Sequence, residues 1–327
     1  MYKKIISFIV VSGLLFAVTI YSMITGSIDI TARELISGLL SGTNENVEII
    51  KDLRLPRIIR SLFAGASLSG SGVLLQAVLR NPLAEPGIIG VSSGAGFVSI
   101  IMITFFPALY FYTPLFSFIG GMIAFLLVYM LAWKSGLNPL RMILIGVAIH
   151  AFFTGLSEFL SSQNASSMMS GVSVTSSTLT MTTWSDVEII VLYGSIGLIL
   201  AFLVYAWCNH LGLKDKTLKN LGFNVNRARF IISVIAVLLA SIATAIAGMF
   251  AFVGLLIPHI GRTLVGNDHK LLIPFSALAG ALLIVVADTL GRTIADPIEI
   301  PASIIMAIIG GPFLIFMLRK SDRIYGN

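Results

Sequence analysis

Residues 86–133 form a run of 48 positions without one Asp, Glu, Lys or Arg. A helix crosses a bilayer with roughly 20 apolar residues, so the run is too long for one crossing. It predicts two, divided near Pro107 and Pro114. Further apolar runs predict spans over 61–79, 140–160, 187–207, 230–250, 271–292 and 301–318. The run over 5–28 follows Lys3 and Lys4 as a signal peptide would. Its 24 residues exceed a usual signal core and no A-x-A site follows, so it reads as a retained first span. Residues 250–268 are apolar but short, interrupted by Gly254, Pro258 and Gly261. As a loop they would reverse the last two helices. They read instead as a short, broken eighth span, tolerated where neighbouring protein satisfies the freed backbone groups. The fold class is an all-α polytopic membrane protein of ten transmembrane helices.

Composition agrees. Of 327 residues, 57% are hydrophobic and 11% charged, and mean hydropathy is +0.97. Soluble domains carry about 25% charged residues, so the soluble classes, nucleic-acid binders included, are excluded despite a net charge of +6. The single cysteine, Cys208, excludes an intramolecular disulfide and a cysteine-based metal cluster. With both termini cytoplasmic, 15 Lys and Arg fall inside and six outside, as the positive-inside rule requires. Five of the outer six, Arg33, Lys51, Arg54, Arg57 and Arg60, precede the second span, and Arg292 is the sixth. The chain reads as a single transmembrane domain over 1–327, with outer loops 26–56 and 161–185 and an inner loop 209–229.

Several chemistries are absent. A Walker A loop needs Gly-Lys, which never occurs, and H-E-x-x-H is missing. His150, His210, His259 and His269 lack metal-ligand spacing. Ser69, Ser71 and Ser93 stand among small residues in AGASLSGSG (64–72) and GVSSGAG (90–96), which fits close helix packing better than an intramembrane nucleophile. Asn81-Pro82 and Glu85-Pro86 fix a polar, rigid turn between two spans. Asp288 lies four residues before Arg292, on one helix face, where an ion pair is expected.

The motifs L-R-L-P-R (53–57), Gln76, N-P-L-A-E-P-G (81–87) and G-V-S-S-G-A (90–95) resemble the signature of the FecCD family. These are permease subunits of ABC importers for iron–siderophores, haem and vitamin B12. F-V-G-L-L-I-P-H-I-x-R (252–262), G-x-D-H (266–269), A-D-T-L-G-R (287–292), E-I-P (299–301) and I-G-G-P (309–312) continue it in order. The resemblance implies a type II ABC importer permease fold in the cell membrane and a central pathway between two copies or a copy and a paralogue. Its implied partners are an ABC ATPase subunit and an extracytoplasmic substrate-binding lipoprotein; neither nucleic acid nor a cofactor is implied. The W-x-x-G-S of many members is absent after the fifth span; L-T-M (179–181) and W-S-D-V (184–187) are similar to Gram-positive haem permeases.

Matching arginines in the vitamin B12 member receive carboxylates of the binding protein, which implies docking at Arg54, Arg57 and Arg292. The plainer alternative is that these arginines anchor helix ends at the lipid headgroups. The basic, amphipathic inner loop implies coupling to the ATPase, with Leu218, Gly222 and Phe223 packing and Lys214, Lys216 and Lys219 at the rim. Pathway candidates are His150 and Thr154 in the fifth span and Ser303 and Met306 in the tenth. Met168, Met169 and Met181 could touch a porphyrin, and His259 reads as structural. The expected function is import of an iron chelate, haem before siderophore or cobalamin, without covalent chemistry. The rivals are an ion-coupled secondary transporter and an intramembrane enzyme.

Overall fold

The computed structural model describes residues 2–25, 34, 45–133, 139–163, 179–295 and 298–325. The helices are α1 (Tyr2–Ile24), α2 (Glu45–Leu79), α3 (Val91–Phe105), α4 (Thr113–Trp133), α5 (Pro139–Gln163) and α6 (Trp184–Leu203). They continue as α7 (Tyr205–Leu211), α8 (Asp215–Asn220), α9 (Val225–Ala247), α10 (Val253–Val265), α11 (His269–Thr293) and α12 (Ala302–Tyr325). Among the described residues, seven segments are long and apolar enough to cross a membrane. Three shorter apolar helices, Val91–Phe105, Val253–Val265 and Ala302–Phe316, accompany them.

The long charge-free run divides at its prolines. α3 stops at Phe105, a 3-10 turn over Pro107–Tyr112 follows, and α4 starts at Thr113. Pro107 sits at the first position of the turn, where its missing N–H costs nothing. The broken eighth span is the 13-residue α10, with Pro258 inside it and Gly266 closing it at φ 90°. The inner loop is partly helical: α7 covers its start, α8 its centre, and α9 begins at Val225. Arg33, Met168 and Met169 lie outside the described residues.

α2, α9 and α11 form the centre of the bundle, and α2 packs along both of the others. The small-residue stripe of α2 allows this. A methyl group on Gly65 would collide with the Gly280 carbonyl of α11, and one on Gly72 with Gly254 of α10. The stripe serines bond across the contacts: Ser69 Oγ donates to the Ser276 carbonyl at 2.7 Å and Ser71 Oγ to Ala236 at 2.6 Å. These hydroxyls are helix glue, and their burial keeps them from acting as nucleophiles. α1 and α5 are peripheral, each burying few of its residues.

Candidate functional site

At the outer ends of α2 and α11, charges converge. Arg57 Nε donates to both carboxylate oxygens of Asp288 at 3.0 Å, and Nη2 donates to Oδ1 at 2.9 Å. Its Nη1 reaches Glu299 at 2.9 Å. Arg292 forms the ion pair expected with Asp288, at a looser 3.5 Å, and donates to Ser22 Oγ at 2.6 Å. Arg54 Nη1 donates to the carbonyls of Met23 and Ile24 at 2.7 and 3.0 Å. A row of free guanidiniums, as docking alone would suggest, is therefore not what forms. A guanidinium withdrawn from water needs compensating partners, and α1 and α11 supply them. Glu299 is the accessible member, its side chain 41% exposed against 11% for Arg57. Arg60, an outer cation by sequence, is fully enclosed: it donates to Thr182 Oγ1 at 3.0 Å and to the Ile246 carbonyl.

At the opposite end, α8 closes with Gly222 at φ 76°. The Phe223 N–H returns to the Leu218 carbonyl and the Gly222 N–H to Lys219, both at 3.0 Å, which is a Schellman close. Leu218 is 2% exposed, buried in the chain's own core, and Phe223 packs edge-on against His210. Leu218 therefore roots the segment and cannot present a surface to a partner. The apolar groups left open are Leu213 and Leu221, beside exposed Lys214, Lys216 and Lys219. Asp215 fixes the segment, accepting from Arg80 at 2.7 Å and Arg229 at 3.0 Å. Nearby, Asp268 caps α11 and accepts from Asn209 Nδ2 at 2.8 Å. That amide, with the Lys270 N–H, holds the Asp268 carboxyl below the usual carboxylate range.

The motifs meet at the start of α10. The buried Glu85 accepts the Phe252 N–H at 3.1 Å, so the N-P-L-A-E-P-G turn caps α10. Phe252 stands at φ 70°, unusual for a bulky residue, and its ring lies where a Cβ on Gly310 of α12 would sit. Gln76 of α2 donates to the Gly254 carbonyl at 3.1 Å and accepts from Arg262. Beside this junction, between α3, α5 and the α9–α10 turn, lies a cavity of about 360 Å³.

Of the pathway candidates, His150 lines that cavity, and its Nδ1 has no hydrogen-bond partner among the described residues. Thr154 Oγ1, one turn on, is likewise buried and unpartnered among the described residues. Met306 is 0% exposed, packed in the core, and so lines no open space; Ser303 is half-buried. The sequence reading missed Glu85 as a cap and Phe252 as a wall. Glu85 carried a signal, a carboxylate between apolar spans, whereas nothing local marks the Phe252 backbone.

Among the described residues, ten apolar helices, three of them short and set among long neighbours, with charge clusters at both ends, define a polytopic transport protein with an ABC importer permease fold. A profile described as the FecCD transport family matches residues 14–320, and the chain belongs to this family. It is 45% identical over 321 residues, 98% of each chain, to the "Probable heme-iron transport system permease protein IsdF" of Staphylococcus aureus strain MSSA476. The protein of that name in strain Newman is 44% identical over the same length. A transporter of the metal-chelate ABC type, solved in an inward-facing conformation, superposes with a TM-score of 0.79. That likeness carries 28% identity and covers 97% of this chain and 99% of the other. PsaBC of Streptococcus pneumoniae shares the fold at TM-score 0.60 and 15% identity, over 88% of this chain and 95% of the other.

Proposed function

We propose that this chain is the membrane-spanning permease subunit of an ABC importer that brings an iron chelate, haem, into the cell. The observation that carries the reading is 45% identity, over 98% of both chains, to a permease named for heme-iron transport. Energy comes from ATP hydrolysed on a separate ATPase subunit, and cargo from an extracytoplasmic binding lipoprotein. The chain acts as one transmembrane domain in the cell membrane, with both termini cytoplasmic, paired with a second copy or a paralogue. The arrangement around Asp288 argues against a proton-coupled carrier, because this acid is held by Arg57 and Arg292 and is not a lone relay group.

The segment around α8 is the ATPase contact, with Leu213 and Leu221 as the apolar face, Lys214, Lys216 and Lys219 as its rim, and Gly222 setting the turn. Leu218 and Phe223 hold that face rigid from behind. Movement of the ATPase subunits then reaches the bundle through Asp215 and its two arginines. At the outer end, the binding protein docks by exchange: one of its carboxylates replaces the exposed Glu299 on Arg57, while Arg54 and Arg292 hold the rim in place. Thr154, one turn from His150, and Ser303 border the pathway.

Proteoliposomes holding the chain with its ATPase and binding protein test the reading. Hemin uptake that needs ATP and stops with vanadate supports it. Uptake driven by a proton gradient without ATP overturns the energy source. Uptake of a ferric hydroxamate or cobalamin but not hemin overturns the cargo.

A further inference from the structure

The cavity beside the α10 start is lined by ten residues, none of them Lys or Arg. Its polar side chains are Glu85, Ser92 and His150, and the rest of the wall includes Met249, Phe250 and Phe252. The Glu85 carboxylate is already committed to backbone N–H groups of Phe252 and Leu255. The volume of about 360 Å³ sits at the small end of ligand pockets.

We propose that this cavity is a cargo station that takes the apolar edge of an iron porphyrin, with Phe252 as its fixed wall and His150 as its polar contact. The inference rests on the haem reading above and adds where and how the cargo touches the chain. Three features argue for a porphyrin over a hydrophilic iron chelate. Phenylalanine rings and a methionine thioether suit a flat π-system. With no Lys or Arg in its wall, the cavity offers the two propionates no ionic partner, so the ring enters by the opposite edge. A ferric hydroxamate would bring oxygen acceptors into a wall that offers no cationic donor.

Phe252 is the part that the fold most visibly arranges. Its backbone adopts φ 70°, Glu85 holds its N–H, and Gly310 leaves room for its ring. A bulky residue kept in the left-handed region by surrounding contacts marks a place where geometry serves a site. His150 brings an imidazole whose Nδ1 no other described group occupies. A ring nitrogen in a membrane span is unusual enough to imply a role.

The test uses the full chain in nanodiscs titrated with hemin, together with hemin uptake by cells carrying the complete importer. Val147 lines the cavity but is 54% exposed, so Val147→Trp fills the space without disturbing the core. Uptake should fall about tenfold at unchanged membrane abundance, the scale on which a reshaped apolar pocket discriminates. Phe252→Gly, which removes the ring and accepts the backbone angle, should act likewise. The unaltered chain should shift the hemin Soret band, and His150→Ala should abolish that shift. If the unaltered importer takes up hemin and Val147→Trp does so at the same rate with the same Soret titration, the station is overturned and the haem reading stands. If the unaltered importer takes up a ferric trihydroxamate and not hemin, both fall.

Discussion

Arg57 and Asp288 stand 231 positions apart in the chain and meet through three N–H···O contacts of 2.9–3.0 Å. The pair ties the outer end of α2 to that of α11, and Arg292 and Glu299 complete the cluster. With Asp288 at 3% side-chain exposure, solvent cannot replace either partner.

Removing the acid leaves two poorly hydrated guanidiniums without their carboxylate. Asp288→Ala should therefore destabilise the protein by about 3–5 kcal/mol, the usual penalty for breaking a buried pair from one side. Thermal unfolding in detergent and membrane abundance should both fall. Unchanged abundance would show that water reaches the cluster.

Glu299 offers a gentler probe, since it is accessible and shares Arg57 with Asp288. Glu299→Gln should leave stability within about 0.5 kcal/mol, as exposed substitutions usually do. It should also strengthen capture of the binding protein by freeing Arg57 Nη1. Weaker capture, measured by surface plasmon resonance, would contradict docking by carboxylate exchange.

Gly72 and Gly70 are neighbours on α2 with opposite expectations. A Cβ on Gly72 meets Gly254 backbone, whereas one on Gly70 finds its nearest atoms at 3.5 Å, ordinary contact. Gly72→Ala should cost about 1–3 kcal/mol by overpacking. Gly70→Ala should be neutral or stabilising, because alanine is the better helix former. Melting temperatures of the two variants check the contrast.

Leu218 and Leu221 separate anchoring from contact. Leu218, fully buried, should lose about 2–5 kcal/mol on change to alanine, with reduced abundance. Leu221 is 72% exposed, so Leu221→Asp should leave melting unchanged while abolishing ATPase co-purification and uptake. Normal co-purification would move the ATPase contact elsewhere.

Asp268 caps α11 in its charged form, and its carboxyl is held below the ordinary range by the Asn209 amide first and the Lys270 N–H second. A depressed folded-state value contributes stability above the unfolded value, about 3.9, and loses it as pH falls further. Asp268→Ala should cost about 1 kcal/mol at pH 7, as lost helix caps do. The difference from the unaltered protein should hold from pH 8 to 5 and shrink only below that carboxylate range. Melting scans across pH test it.

Much of the site was legible as residues but not as partners. The L-R-L-P-R and A-D-T-L-G-R motifs marked Arg57, Asp288 and Arg292, and the four-residue spacing announced the pair on α11. That Asp288 would answer chiefly to Arg57 was invisible, since the contact depends on how two helices pack. Leu218 and Leu221 are both leucines of one short amphipathic segment; only the Schellman close after α8 turns one inward and leaves the other outside.

Read along the chain, the residues already specify the membrane, the number of apolar helices, the break at Pro258 and the side-chain stripes that let α2 be approached closely. These are local properties, written in hydropathy, proline and glycine over stretches no longer than a helix. Helix packing settles which arginine meets which acid, that Glu85 caps α10, and that Phe252 stands against Gly310 beside a cavity. Such pairings join residues far apart in the chain, and they follow from the rotation and depth of packed helices, which no short stretch of sequence specifies.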